Sequence, residues 1–406
     1  MARIFPFRAV RPTRDKVSLV TSRSFEDYAP AELAAQLEFN PLSFLHILKP
    51  AYTFQQSTVV EKRFKLVHQK YEEFKHDNIL ARDEKPSVYI HRIRSKELEF
   101  TGVISAVSID DLKSDRIKKH EDTLHYRVEL FKDYMKFAGF NTEPVLMTHP
   151  DDPELASWLA DKTSTPADFE FSTTKRDIHY LWKIDDVEAI AFIQSSFERL
   201  GALYIADGHH RCASAEMFYD ETENPSESKS RFMGFLISDS QVKVYEYNRL
   251  IKDLNGLSRH DFLERLAENF VVKPSGEQLF HPKKRHEFGL YLDGDFFALE
   301  LREDKRQFES PLEGLDAQIL YDRVLKPILG ITDLRNDERI EYLPGKIPVV
   351  EIRNRVDEGE FELGFVLYPT DISEIKAIAD ARQIMPPKST YIEPKFRSGL
   401  VVYEID

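Results

Sequence analysis

The chain has 406 residues with 56 basic and 70 acidic side chains, a formal charge of −14 at pH 7. A hydrophobic fraction of 42% with 12% aromatics is enough for two to three domains and excludes a disordered chain. The acidic balance excludes a whole-surface grip on nucleic acid or anionic membrane, the one cysteine, Cys212, excludes an intramolecular disulfide, and no apolar run reaches the roughly 18 residues that span a bilayer.

The opening stretch MARIFPFRAVRPTRDK has no apolar core after its basic residues, so a cytoplasmic protein without nucleic-acid or membrane partners is expected. With 15 glycines, no GxxxxGK[ST] and no GxGxxG, any phosphate must be held by a device other than a glycine-rich loop.

In chain order, helices are expected over AELAAQLEF and STVVEKRFKLVHQKYEEFKHDNIL, then strands over PSVYIHRI and LEFTGVISAVSI. One helix is expected from Asp110 to Phe137, ended by Gly139. EPVLMTH reads as a strand, DDPELASWLADK as a helix, His179 to Ile184 as a strand, and Ile190 to Leu200 as a helix. ALYIA and CASAEMFYDE are a strand and a helix around a short turn, followed by a polar loop, DETENPSESKSR. RFMGFLISDSQVKVYEYNRLI alternates like an antiparallel pair, HDFLERLAENF is helical, and EFGLYLDGDFFALELR is a hairpin turning at Asp293-Gly294. LDAQILYDRVLKPILG is a helix closed by Gly330, IPVVEIR and FELGFVLYP are strands, and ISEIKAIADARQ is a helix. Hairpins and helices without strict βαβ alternation give an α+β fold.

Three segments carry more chemistry than a fold requires. The first, Ala206-Asp207-Gly208-His209-His210-Arg211, joins a strand to a helix. Such a turn aims backbone N–H groups and the positive end of the helix dipole at one point, where an anion would sit. Arg211 and the two histidines oppose that dipole at ~0.3–1 kcal/mol for each full charge, a conflict that a bound anion removes. The alternatives are an N-cap at Asp207 with surface histidines, or a metal on Asp207, His209 and His210, although adjacent helical side chains diverge by about 100°.

The second segment is Lys118 to Thr123, KKHEDT. Ile117, Leu124, Val128 and Phe131 form an apolar stripe whose missing member is position 121, so Glu121 is expected to face inward, where burial raises a carboxyl pKa toward the general-base range. Thr123 and Arg127, four residues apart, would meet a small acidic ligand with a hydroxyl and a guanidinium. A structural ion pair is the alternative for Glu121.

The third is Met385-Pro386-Pro387-Lys388-Ser389-Thr390-Tyr391, followed by Pro394-Lys395 and Ser398-Gly399. Two prolines stiffen the chain ahead of an ammonium and two hydroxyls, Lys388, Ser389 and Thr390, which suit phosphate oxygens. The start of a strand is the alternative. Cys212 reads as buried packing, with a redox thiol as the alternative, and Arg249 as an anion contact or a surface pair.

Taken together, IFPFRAVRP, NPLSFLHILKP, DRIKKHEDT, ADGHHRCASA and MPPKSTYIEPKFRSGL resemble the DUF1015 family along the whole chain. That resemblance implies a ParB/sulfiredoxin-like core, in which a G-x-H-R-type turn at a helix N-terminus holds phosphates. It also implies relatives that include kinases of free L-serine using ADP, ATP or pyrophosphate. The implied organisation is an N-terminal α/β region at 1–95, a catalytic core at 96–240, a C-terminal α+β region at 241–375, and a tail at 376–406 returning to the active site. Residue by residue, Glu121 matches the base for the serine hydroxyl with His120 beside it, Asp207, Gly208, His209, His210 and Arg211 match the phosphate loop, and MPPKSTY matches a further phosphate contact. The chain departs from the family pattern at Thr21 to Tyr28, where a PPYDV-like segment is usual, and at Asn248, where a histidine is usual.

The combined expectation is a phosphotransferase making O-phospho-L-serine. Pyrophosphate is favoured as donor because glycine-rich nucleotide loops are missing, and Mg2+, with Asp207 as its ligand, would bridge the donor oxygens. The rival readings are a non-catalytic ParB-like nucleotide-binding module, a redox enzyme acting through Cys212, and a metal-dependent hydrolase acting through the histidines.

Overall fold

The computed structural model describes residues 2–53 and 59–406. The chain divides into two compact units, Met1–Lys119 with Thr123–Val242 and Pro394–Asp406, and His120–Asp122 with Lys243–Glu393.

In the first unit, Glu99–Ser108 is buried along nearly its whole length, the pattern of a strand covered on both faces. It lies inside a nine-stranded mixed sheet with the order Ile117–Lys118, Leu203–Asp207, Val145–His149, Arg231–Ser238, Glu99–Ser108, Val88–Arg94, Ile178–Ile184 and Phe169–Ser172, with Ile4–Phe5 also on Glu99–Ser108. Val103, Met147 and Ile205 from this sheet pack with Ile193 and Phe197 of the helix Val187–Arg199 and with Cys212, Ala215 and Phe218 of the helix His209–Asp220. A second core forms where the helix Val60–His76 turns Phe64, Val67, Tyr71 and Phe74, at three- and four-residue spacing, onto Phe44 and Phe140. Ser57 and Thr58, the expected start of that helix, lie outside the described residues.

The second unit is built on a seven-stranded antiparallel sheet with the order Phe270–Gly276, Asp295–Leu301, Glu287–Leu292, Leu363–Val366, Lys243–Ile251 and Ile340–Pro344, with Thr390–Glu393 also on Lys243–Ile251. The expected hairpin is present, and positive φ at both Asp293 (50°) and Gly294 (83°) matches the turn that continues the strand twist. Leu250, Phe296, Ile352 and Phe361 fill its core. One mixed and one antiparallel sheet, each with helices, make the fold α+β.

Three expected elements differ. The single helix over 110–137 is in fact a short helix Ile109–Lys113, a strand Ile117–Lys118, a loop, and the helix His125–Ala138. Asp115 takes the left-handed conformation (φ 60°), and Ile117, 1% exposed, pairs with Leu203, so sheet burial overrides the helical spacing. RFMGFLIS and KVYEYNRLI do not pair: Arg231–Ser238 belongs to the nine-stranded sheet and Lys243–Ile251 to the seven-stranded one. IPVVEIR forms the start of the helix Val350–Asp357, whose Ile352 lies so close to Gly364 that a Cβ there would come within 2.1 Å of its methyl. A short apolar run does not distinguish strand from helix by itself. No helix among the described residues is long and apolar enough to cross a membrane.

Candidate active site

The strand Leu203–Asp207 delivers the DGHHR segment from a buried stretch to the surface. Gly208 follows with φ 97° and ψ 26°, a backbone state that costs glycine little, and it serves as N-cap of the helix His209–Asp220 without a side-chain cap hydrogen bond. The space above it is filled from the same helix, since a Cβ on Gly208 would lie 2.9 Å from Arg211 Nε. Arg211 therefore folds back over the turn. Its Nη2 donates to Asp207 Oδ2 at 3.1 Å and its Nη1 to Glu143 Oε2 at 3.0 Å. Lys395 Nζ stands 3.2 Å from the other Asp207 oxygen, and Ser398 donates its hydroxyl to Glu143 Oε1 at 2.7 Å. Burial opposes ionisation of Asp207, but Lys395 and Arg211 outweigh it and hold the carboxyl below its ordinary range.

This geometry corrects three expectations. Asp207 is the last residue of the strand and not the N-cap, a place taken by Gly208. The charge of Arg211 is met by Glu143 and Asp207, so the dipole conflict is already relieved by the protein's own carboxylates. Asp207 does not fit the role of magnesium ligand, because each of its oxygens faces a cation, and among the described residues no group of three or more His, Cys, Asp and Glu is arranged for a metal.

The histidines of the turn differ from each other. His209 is 4% exposed. His210 accepts the Leu124 N–H on Nε2 at 3.0 Å, so its lone pair is there and the ring is neutral, tying the turn to the start of the helix His125–Ala138. Cys212, next on the helix, is 1% exposed, and burial pushes its thiol far above the range where a thiolate forms, which counts against a redox role.

Glu121 is not on the buried face of a helix. It is half-buried in the loop that precedes His125–Ala138, because the expected helix is interrupted at Asp115. On either side, the His120 carbonyl accepts the Met385 N–H at 2.9 Å, and Asp122 lies 3.3 Å from Arg335. Thr123 belongs to the same loop while Arg127 is exposed on the first turn of the helix, so the two do not form the expected pair on one helical face.

In the second unit, Lys388 adopts positive φ (54°) and is exposed, with Nζ 5.3 Å from the Tyr247 ring centre. Ser389 is buried and turns its hydroxyl inward to the Pro386 carbonyl at 2.7 Å, while Thr390 opens a strand opposite Glu246. The segment is thus both a tight turn and the start of a strand. Arg249 is 2% exposed over the Tyr342 ring, and burial pushes its guanidinium down to about 10.

Glu143, Lys395 and Ser398 complete the network around Arg211 and were not expected as site residues. Lys395 and Ser398 were visible in the tail as a basic and hydroxyl group near glycine. Glu143 had no signal, because only the fold brings it to Arg211.

The ADGHHR turn and the PKFRSG segment, remote in sequence, meet at Asp207. A family model described as protein of unknown function (DUF1015) matches residues 4–318. The chain belongs to the DUF1015 family. Among curated proteins, the ATP synthase gamma chain of Roseobacter denitrificans is 31% identical over 78 residues, 19% of this chain and 27% of that one, so the chain spans little more than a quarter of that relative. Among solved structures, a free serine kinase variant in complex with AMP is 14% identical, covering 75% of this chain and 91% of its own at a TM-score of 0.39. A second free serine kinase variant, in complex with ADP, is 15% identical over 75% and 92% at 0.40. C-terminally truncated SbnI from Staphylococcus aureus is 11% identical over 73% and 85% at 0.38. These scores lie below the level from which a common fold follows.

Proposed function

We propose that this DUF1015 protein is a phosphotransferase that forms O-phospho-L-serine from free L-serine. The observation that carries the proposal is the helix N-terminus behind Gly208, which has no side-chain cap and has Arg211 and Lys395 gathered on Asp207. Phosphoryl transfer asks little covalent chemistry of a protein and depends on positioning and on neutralising charge. First-turn N–H groups and the positive end of the helix dipole supply that neutralisation for a phosphate-sized anion, beside Arg211 and Lys395, whose charges are balanced by Asp207 and Glu143.

In the proposed reaction the serine Oγ attacks the terminal phosphorus of the donor, and Glu121 takes the hydroxyl proton. The bond from that phosphorus to the bridging oxygen breaks, and with pyrophosphate as donor the leaving group is orthophosphate. His120 beside Glu121, Lys388 as a further cation, and Arg127 and Thr123 for the acceptor's carboxylate complete the assignment. Pyrophosphate is the favoured donor because the chain is poor in glycine and has no nucleotide loop motif, with ADP and ATP as the competing donors. The test is to incubate purified protein with L-serine, magnesium chloride and each donor in turn, and to quantify phosphoserine by mass spectrometry. Phosphoserine is expected with at least one donor, fastest with pyrophosphate; none with all three overturns the proposal.

A further inference from the structure

The parallel strands Val145–His149 and Arg231–Ser238 end side by side, with His149 opposite Ser238. Their neighbour Leu203–Asp207 runs the other way, pairing Tyr204 with Thr148 and Asp207 with Leu146, so these carboxyl ends lie at the opposite edge of the sheet from Gly208. A cavity of about 210 Å³ opens there, walled by His149, Asp151, Ser240 and Gln241 and floored by Leu155 and Leu236. At ~30 Å³ for each water, it has room for about seven non-hydrogen atoms.

Hydroxyl and amide groups of Thr101, Ser238 and Gln241 line this cavity, and beside them stand two acceptors, His149 and Asp151. His149 is 4% exposed, and its Nδ1–H donates to the Pro150 carbonyl at 2.8 Å, which leaves the lone pair on Nε2. Nε2 makes no hydrogen bond among the described residues. Burial also holds this imidazole below its ordinary pKa, so it stays a neutral acceptor. Asp151 spends Oδ1 on the Ser240 hydroxyl at 2.7 Å and N–H at 3.4 Å, leaving Oδ2. The helix Pro153–Thr163 begins at the rim, but Asp152 already takes the Glu154 and Leu155 N–H groups at 2.9 and 3.1 Å, and its second oxygen lies 3.8 Å from Arg199. Among the described residues no lysine or arginine lines the cavity, and its charged groups, Asp151 and Asp152, are carboxylates that disfavour an anion.

We infer that this cavity binds a small aliphatic ammonium ion, whose N–H groups donate to His149 Nε2 and Asp151 Oδ2 while its alkyl stem lies on Leu155 and Leu236. The site is independent of the proposed phosphotransfer. The experiment is calorimetric titration of the full chain with n-butylammonium chloride and, separately, with sodium butyrate, which carries a stem of the same carbon count on an anion. Saturable butylammonium binding without butyrate binding is expected. Asp151→Asn, which keeps an acceptor for Ser240, is expected to weaken binding about tenfold or more. A shift of the His149 Nε2 nitrogen resonance on binding is also expected, and this readout needs no substitution at the buried ring. Absence of saturable binding, equal binding of butyrate, unchanged affinity in Asp151→Asn, or a static His149 resonance overturns the proposal.

Discussion

Replacing Glu121 with glutamine removes the proposed base without changing its size, so phosphoserine formation should fall at least ~100-fold. Pyrophosphate affinity, measured by calorimetry, should remain. Normal turnover in Glu121→Gln would take that residue out of the reaction. Asp316 makes a prediction of another kind. It is 6% exposed, and burial pushes its carboxyl up to about 7, against the His286 N–H it accepts at 2.9 Å and with reinforcement from Glu374. An unfolded aspartate titrates near 3.9, so the folded state holds the proton more tightly and stability is lost as pH rises from about 4 to about 7, at roughly 1.4 kcal/mol for each unit. Asp316→Asn keeps an acceptor and removes the titration. Between pH 5 and pH 8 the native protein should lose several degrees of Tm relative to this variant, and parallel curves would contradict the assignment.

At the scale of elements, Gly208 is the residue on which the turn depends. An alanine there would face both the φ of 97° and the Arg211 Nε at 2.9 Å. Gly208→Ala should therefore cost about 1–3 kcal/mol in thermal unfolding and displace Arg211 from Asp207. An unchanged Tm would mean that the turn relaxes freely. This strand–glycine–helix unit was legible in the sequence because its signals are local: an apolar strand, a glycine, then polar residues opening an Ala-rich helix. The segment around Glu121 was not. Its helical spacing is real, but Ile117 gains more from the sheet, and a left-handed Asp115 breaks the helix. Pairing Arg231–Ser238 with Lys243–Ile251 failed for a similar reason, because alternation identifies a strand but not its partner.

At the scale of the molecule, the second unit is inserted into the first, which is completed only by Pro394–Asp406. Within that last segment Lys395 reaches Asp207, Ser398 reaches Glu143, Val402 pairs with Val10, and Tyr403 with Asn141. Deleting residues 394–406 should lower the Tm by several degrees and abolish donor binding together; a truncated protein that retains both would contradict this role of the C-terminal segment. In a chain whose −14 charge excludes a polyanion-binding surface, the turn gathers two cations, Arg211 and Lys395, on Asp207. The most direct measurement of the central claim is ³¹P NMR of the protein with L-serine, magnesium and pyrophosphate. The account predicts that the pyrophosphate resonance gives way to a phosphomonoester and to orthophosphate in equal amounts. Orthophosphate accumulating without the phosphomonoester would contradict it, and a pyrophosphate resonance that does not change would contradict pyrophosphate as the donor.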